Sequence, residues 1–323
     1  MIIYPIKFKP ILQEKIWGGN KLREILSKET DKTNIGESWE ISGVQGNISV
    51  VENGAENGKT LVDLIKEYKG LLMGNKIYSD FGNDFPLLIK FIDAKTDLSV
   101  QLHPDDELAE KRHNSFGKTE MWYVMQADKG SKLNIGFKRN VSQEEYLEYL
   151  EKGKIVELLN FEEVQKGDSV FINTGKVHAI GGGVLLAEIQ QTSDITYRIY
   201  DWDRVNENGQ GRELHTSLAL DAIDFEKKDD YQLNYENNTN SSAEIASCEY
   251  FTTNFLPVQG SLTKDYSSLD SFVIYMCVDG GAKISIGNYS ETIEKGQTLL
   301  IPAAAEYVQI EAIKAELLEV YIK

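Results

Sequence analysis

With 323 residues, 41% of them hydrophobic, the chain can bury the core of one or two domains. Its 51 acidic residues against 34 basic ones give a formal charge of −17, which disfavours nucleic acid and anionic membranes as partners. Two cysteines without a CxxC pair, a start (MIIYPIKFKP) without a signal-type apolar stretch and no run of transmembrane length point to a cytoplasmic protein in a reducing compartment.

In chain order, KLREILSK and TLVDLIKEYKGLLMG carry apolar residues at helical spacing, in the second case Leu61, Leu64, Ile65, Tyr68, Leu71 and Leu72. PLLIKFIDA, LSVQLH, MWYVM and KLNIGF read as strands with Gly, Asn and Asp at their ends. A capping-box pattern from Ser142 to Glu145 predicts a third helix running through EEYLEYLEKGKIVELLN, and the strands DSVFIN and VLLAEIQQ follow it. Strands this short and closely spaced favour a β-barrel or sandwich. The polar, Asn/Ser-rich stretch 227–244 is either a surface loop or the boundary between a unit spanning 1–235 and one spanning 236–323.

The two parts repeat. DKGSKLNIG (128–136) aligns with DGGAKISIG (279–287), and KGDSVFINTGKVHAI from Lys166 aligns with KGQTLLIPAAAEYVQI from Lys295. Two matched pairs in the same order suggest a duplicated barrel. In that alignment His178 meets Tyr307 and Glu120 meets Ser271, so a polar site in the first copy has no counterpart in the second.

The chain has four histidines, His103, His113, His178 and His215. Strand alternation sets Ser99, Gln101 and His103 on one face of SVQLH, and Lys118, Glu120 and Trp122 on one face of KTEMWYVM. Two imidazoles, a carboxylate and an amide oxygen suit a divalent metal such as Zn, Fe, Co or Ni; taken singly, a histidine such as His103 is more often a polar strand end than a ligand. In EIQQTSDITYRIYDWDR, alternation groups Glu188, Gln190, Thr192, Asp194, Thr196, Arg198 and Tyr200. Arg198 there either pairs with Asp194 or Asp201 at a rim or meets an anion together with Lys118 and Arg212. The acids Asp105, Asp106 and Glu107 suit a helix start after Pro104, His113 a loop, and His215 a helix start.

LSVQLHPDDELA, GKTEMWYV, GKVHAIGGG, QTSDITYRIYDWDR and GRELH, with GESWEIS and the WGG of Trp17–Gly19 upstream, resemble the type I mannose-6-phosphate isomerases. The order of the motifs is the family's, and the length is similar to that of its short bacterial form, with less helix between the two barrels than in longer members. The resemblance implies a mostly β fold of two cupin-type (jelly-roll) β-barrels with a few helices packed on the N-terminal part. It implies one zinc ion in the first barrel, with His103, Glu120 and His178 as ligands and Gln101 as the fourth. Arg198 matches the family's active-site arginine, while Ser99 and Lys118 fall where the sugar-phosphate pocket is lined. The implied reaction interconverts mannose 6-phosphate and fructose 6-phosphate by proton transfer through an enediolate, with Arg198 and Lys118 as the catalytic pair. Lys118, Glu40 and a metal-bound hydroxide are the candidate bases. The implied partner is a small sugar phosphate, and monomer and homodimer are both compatible. A two-histidine–carboxylate iron oxygenase and a metal-free sugar-binding bicupin are the competing classes.

Overall fold

The computed structural model of the chain describes residues 3–205, 208–228 and 231–323. A seven-stranded sheet holds β2 (Ile11–Gly19), β3 (Ile35–Ile41), β4 (Leu87–Ala94), β6 (Glu120–Ala127), β9 (Ser169–Ile172), β11 (Val184–Gln191) and β13 (Gln232–Leu233). A five-stranded sheet runs in the order β12 (Tyr197–Tyr200), β5 (Val100–Leu102), β10 (His178–Ile180), β7 (Lys132–Phe137) and β8 (Leu159–Glu163). The third sheet contains β14 (Ala243–Ser247), β15 (Thr252–Asp265), β16 (Val273–Ile286), β17 (Tyr289–Glu294), β18 (Thr298–Ile301) and β19 (Tyr307–Tyr321). It also recruits β1 (Ile6–Lys7), which pairs Ile6 with Leu300 and so ties the start of the chain to its C-terminal part.

The central strands explain the layering. All eight residues of β4 and all eight of β11 are buried, because both faces of their sheet are covered. Leu87, Ile89, Phe91, Met121, Tyr123, Met125, Leu185, Ala187 and Ile189 point one way, into a core shared with Ile274, Met276, Leu318 and Val320 of the third sheet. Their alternates Ile92, Trp122, Val124, Val184 and Leu186 point the other way and meet Leu133, Ile135 and Ile180 of the five-stranded sheet. The first unit is therefore a two-sheet jelly-roll sandwich. Tyr275, Cys277, Ile284, Leu299 and Leu317 line a separate core on the far side of the third sheet. The repeat is structural as well: His178 opens β10 and Tyr307 opens β19, while Ser271, buried, precedes β16 as Glu120 begins β6.

The helices are α1 (Lys21–Glu24), α2 (Leu61–Tyr68), α3 (Gly70–Met73), α4 (Asn75–Phe81), α5 (Asp106–His113), α6 (Gln143–Glu151) and α7 (Thr216–Leu220). The run read as one helix through 60–74 is two, broken at Lys69, whose φ of 50° lies in the left-handed region. The first turn of α2 carries a reciprocal cap between Thr60 and Asp63. The helix expected from Ser142 stops at Glu151; 155–158 form a 3₁₀ turn, and the following residues enter β8. His113 ends α5 rather than lying in a loop. Among the described residues, no helix is long and apolar enough to cross a membrane.

Between α3 and α4 stands Gly74, with φ 96° and its position for a Cβ only 2.1 Å from the Asp270 carbonyl oxygen. The Asp270 carboxylate in turn accepts from the Asn75 and Lys76 amides at 2.7 and 3.0 Å, joining the helices to the third sheet. Gly74→Ala is expected to lower unfolding stability by about 1–3 kcal/mol, read from urea denaturation.

Candidate active site

Register builds the site. Arg198 lies opposite Gln101 on β12 and β5, and Gln101 opposite His178 on β5 and β10, so the three share one face of the five-stranded sheet. His103 follows two residues after Gln101 and returns to that face. From the facing sheet, Glu120 projects between the imidazoles: its Oε2 lies 3.5 Å from His103 Nε2 and its Oε1 3.4 Å from His178 Nε2. The three donor atoms lie within 4.8 Å of one another, and each residue is at most 1% exposed.

Both imidazoles are aimed by backbone. His103 Nδ1 faces the Ile195 carbonyl at 2.9 Å and His178 Nδ1 the Lys176 carbonyl at 2.8 Å. A carbonyl only accepts, so each Nδ1 carries the hydrogen and each Nε2 presents its lone pair to the centre. Among the described residues no hydrogen-bond donor reaches buried His103 Nε2 or either Glu120 oxygen, a costly arrangement unless a cation meets them. Gln101 borders the cluster, its amide 3.5 Å from His178 Nε2, and a half-turn of that amide would present its oxygen. Ser99 Oγ donates to Gln101 at 3.3 Å.

Burial, reinforced by the Lys118 charge, pushes His103 down to about 3, and burial also lowers His178. For Glu120 burial alone would raise the value, but Lys118, whose Nζ is 3.7 Å from Oε2, and the two histidines hold the carboxyl well below the usual range. Near neutrality the cluster is thus two neutral imidazoles and one carboxylate, a borderline-soft donor set that fits a zinc-like ion. A sign follows for the metal-free protein. The folded histidines bind protons more weakly than the unfolded ones, whose value is about 6.5, so stability is full above about pH 6.5 and declines on acidification towards 3. Calorimetric melting temperatures should trace that decline, and His103→Asn should flatten it.

A cleft of about 300 Å³ opens beside the cluster. Lys15, Lys90, Lys118, Arg198 and Arg212 line it against the acids Glu37, Glu188 and Asp194, so a cationic pocket sits in an acidic protein. Ser99, Gln101 and Trp17 complete the wall.

Comparison with known proteins decides the family. The model of the catalytic domain of type I phosphomannose isomerase matches residues 6–138, and that of the mannose-6-phosphate isomerase cupin domain matches 241–322. The mannose-6-phosphate isomerase ManA of Bacillus subtilis is 34% identical over 309 residues, 94% of each chain. The chain belongs to the type I phosphomannose isomerases. A Bacillus subtilis mannose 6-phosphate isomerase crystal structure superposes on this type I fold with a TM-score of 0.90 at 30% identity, covering 99% of this chain and all of the other. A mannose 6-phosphate isomerase bound with zinc and yttrium shares the fold, with a TM-score of 0.79 at 17% identity over 99% of this chain and all of the other.

Within this phosphomannose isomerase fold, Gln101, His103, Glu120, His178, Lys118, Ser99 and Arg198 all converge on one region. The alternation read through 188–200 does not hold as one strand: β11 ends at Gln191 and β12 begins at Tyr197 in the other sheet. Glu188, Asp194, Thr196 and Arg198 nevertheless line one cleft, because the chain crosses between sheets there. The rim ion pair considered for Arg198 is made by Arg212 instead, whose Nε and Nη2 donate to Asp201 at 2.7 and 2.6 Å. Glu40 is removed as a candidate base. It points to the opposite face of β3 from Glu37, is paired with Lys28 at 2.6 Å, and lines a separate cleft of about 450 Å³. Asp105 caps α5, accepting from the Leu108 amide, as the acidic run suggests.

Sequence reasoning grouped Glu188, Gln190 and Trp122 on polar strand faces but missed Lys90, Glu37 and Trp39 beneath the cleft. Lys90 Nζ contacts Glu188 Oε1 at 2.9 Å and donates to Gln190 Oε1 at 2.6 Å, Trp122 Nε1 donates to Glu188 Oε2 at 3.0 Å, and Trp39 Nε1 donates to Glu37 at 2.7 Å. The available signal was Lys90 in LLIKFIDA, a charge flanked by apolar residues on both sides.

Proposed function

We propose that the chain interconverts mannose 6-phosphate and fructose 6-phosphate, with His103, Glu120, His178 and Gln101 holding one zinc ion. The observation that carries this reading is the buried cluster of donor-less acceptors opening onto a cationic cleft. The ion supplies Lewis acidity at the sugar oxygens when bound. The chain's own groups do the rest. In the aldose-to-ketose direction a proton leaves C2 of the open-chain sugar and the C1=C2 bond forms as electrons move onto the C1 oxygen; the C2 hydroxyl proton then passes to that oxygen, the C2=O bond forms, and the C1=C2 electron pair takes up a proton at C1. Our candidate to carry that proton is Lys118, beside Glu120 and on the cleft wall; it would accept as the neutral amine and donate as the ammonium that pairs with Glu120. Arg198 does not release its proton and serves instead as the fixed positive charge that holds the phosphate or the developing oxyanion. Lys90 is kept protonated: burial would lower its value, but Glu188 and Glu37 more than offset that, so it acts as a charge and not as a base. Trp17, Ile92 and Trp122 limit water at the wall.

Under this reading residues 1–235 form the catalytic unit and 236–323 a cupin without a metal, the partner is a small sugar phosphate, and the protein works in the cytoplasm. A coupled assay on mannose 6-phosphate tests it. Turnover is expected to fall to background after chelation and to return with Zn, Co or Mn. Oxygen uptake with Fe(II) in place of isomerisation, or metal-independent sugar-phosphate binding without turnover, would refute it. Arg198→Ala is expected to reduce kcat/KM by about 10–100-fold, the size of a lost charge-assisted hydrogen bond.

A further inference from the structure

His215 lies outside the cleft and the metal cluster, yet its ring holds the residue that faces the substrate. β12 is the edge of the five-stranded sheet, so the outward N–H and C=O of Arg198 have no strand to pair with. Residues 213–215 close that edge. The Arg198 amide donates to His215 Nδ1 at 3.1 Å, the His215 amide donates to the Arg198 carbonyl at 2.7 Å, and Arg198 Nη1 donates to the Glu213 carbonyl at 2.8 Å. A backbone N–H can only donate, so Nδ1 must carry a lone pair, and the imidazole stands in for the carbonyl of a missing neighbouring strand.

The clamp is itself anchored. His215 is the N-cap residue of α7, whose end is held by Arg112 of α5 through the Leu218 carbonyl, at 3.0 Å, and the Asp221 carboxylate. His113, the last residue of α5, meets the Tyr197 hydroxyl at 2.9 Å, next to Arg198 in β12. The helix that starts three residues after His103 thus braces the segment that grips Arg198. Among the described residues Arg198 Nε has no acceptor, so the side chain that lines the cleft is held by these contacts at its backbone and one terminal nitrogen.

We infer that His215 is a positioning residue for substrate recognition: by accepting the Arg198 amide it sets where the guanidinium meets the anionic group of the sugar phosphate. The inference rests on the reading of Arg198 given above. It takes the phosphate as the group that Arg198 holds and so places the effect in KM, with the metal cluster and Lys118 out of contact with His215.

The test is steady-state kinetics on mannose 6-phosphate with zinc-loaded wild type, His215→Phe, His215→Asn, Arg198→Ala and the Arg198→Ala/His215→Phe double variant, with zinc content and melting temperature measured for each. Phenylalanine keeps the ring volume and removes the lone pair; asparagine keeps an acceptor oxygen at nearly the same reach. His215→Phe should raise KM about tenfold, the scale seen when a supporting partner of a functional group is lost, with kcat and zinc content within about twofold of wild type. His215→Asn should stay within about threefold in KM, and His215→Phe should add nothing once Arg198 is alanine. Equal KM for the Phe and Asn variants, an effect confined to kcat or zinc content, or additivity with Arg198→Ala would overturn the assignment while leaving Arg198 in its role. If His215→Phe fails to fold, a His215→Asn variant with a KM as high as that of Arg198→Ala overturns it instead. A silent Arg198→Ala would remove the reading of Arg198 and this inference together.

Discussion

Alanine at position 178 is expected to abolish isomerisation, with kcat/KM falling by at least about 10³-fold, the share that preorganised charge at a developing oxyanion contributes to such a reaction. The same preparation should carry less than a tenth of the wild-type zinc by elemental analysis. His178 is opposite Gln101 in register, its Nδ1 is fixed by the Lys176 carbonyl, and its Nε2 lies 3.4 Å from Glu120, so alanine there removes one of the three donors of the cluster. The remaining histidines cannot substitute, since His113 is engaged with Tyr197 and His215 with Arg198. The substitution also leaves a cavity against Trp122, whose ring meets the imidazole edge-on at 5.4 Å, so some loss of melting temperature should accompany it. Far-ultraviolet circular dichroism should remain that of the wild type, because the strands are held by cores on both faces of the seven-stranded sheet. A folded His178→Ala protein with full zinc and full turnover would mean that the cluster is not the catalytic centre.

Lys90→Met should destabilise the zinc-loaded protein by about 3–5 kcal/mol, the cost of leaving a buried charge without its partner. Lys90 and Glu188 are each 3% exposed, and Lys90 lies 5.3 Å over the Trp39 ring. Methionine fills the aliphatic part of the space but removes the cation that pairs with Glu188 and lies in the field of Glu37. Adding Glu188→Gln should recover a substantial part of the loss, because the amide can still accept from Trp122 Nε1 without bringing a charge. Urea denaturation of the two variants measures both effects. Stability unchanged in Lys90→Met would show that water reaches the pair and screens it. The two substitutions also separate charge from chemistry: if Lys90 only shapes the field, turnover falls without a new titration in the pH–rate profile.

Much of this was legible in one dimension. Strand alternation around Gln101, His103 and Glu120 put the donors on single faces, and the matched segments after Lys166 and Lys295 gave the duplication. The misreadings share a cause. The pattern from Glu188 to Tyr200 is regular enough to pass for one strand, yet it spans a crossover between sheets, and nothing local marks the crossing. Glu40 stood among the candidate bases because a composition of acids says nothing about which face of β3 meets which cavity. His215 read as a helix start, correctly, while its ring was already committed to Arg198, seventeen residues away.

What the order of residues determined by itself was the chemistry available: period-two strands, neutral imidazole and carboxylate donors, a shortage of histidine that made each one informative, and caps such as Thr60 and Ser142 that set helix starts. Those depend on neighbours within a few residues. Only the tertiary structure decided that Glu120 on one sheet reaches between His103 and His178 on the other, that Arg212 rather than Arg198 takes Asp201, and that Lys90 is balanced by Glu188. Each of these is a contact between strands far apart in the chain, fixed by register and by which faces two sheets bury against each other, and a period of two residues cannot encode either.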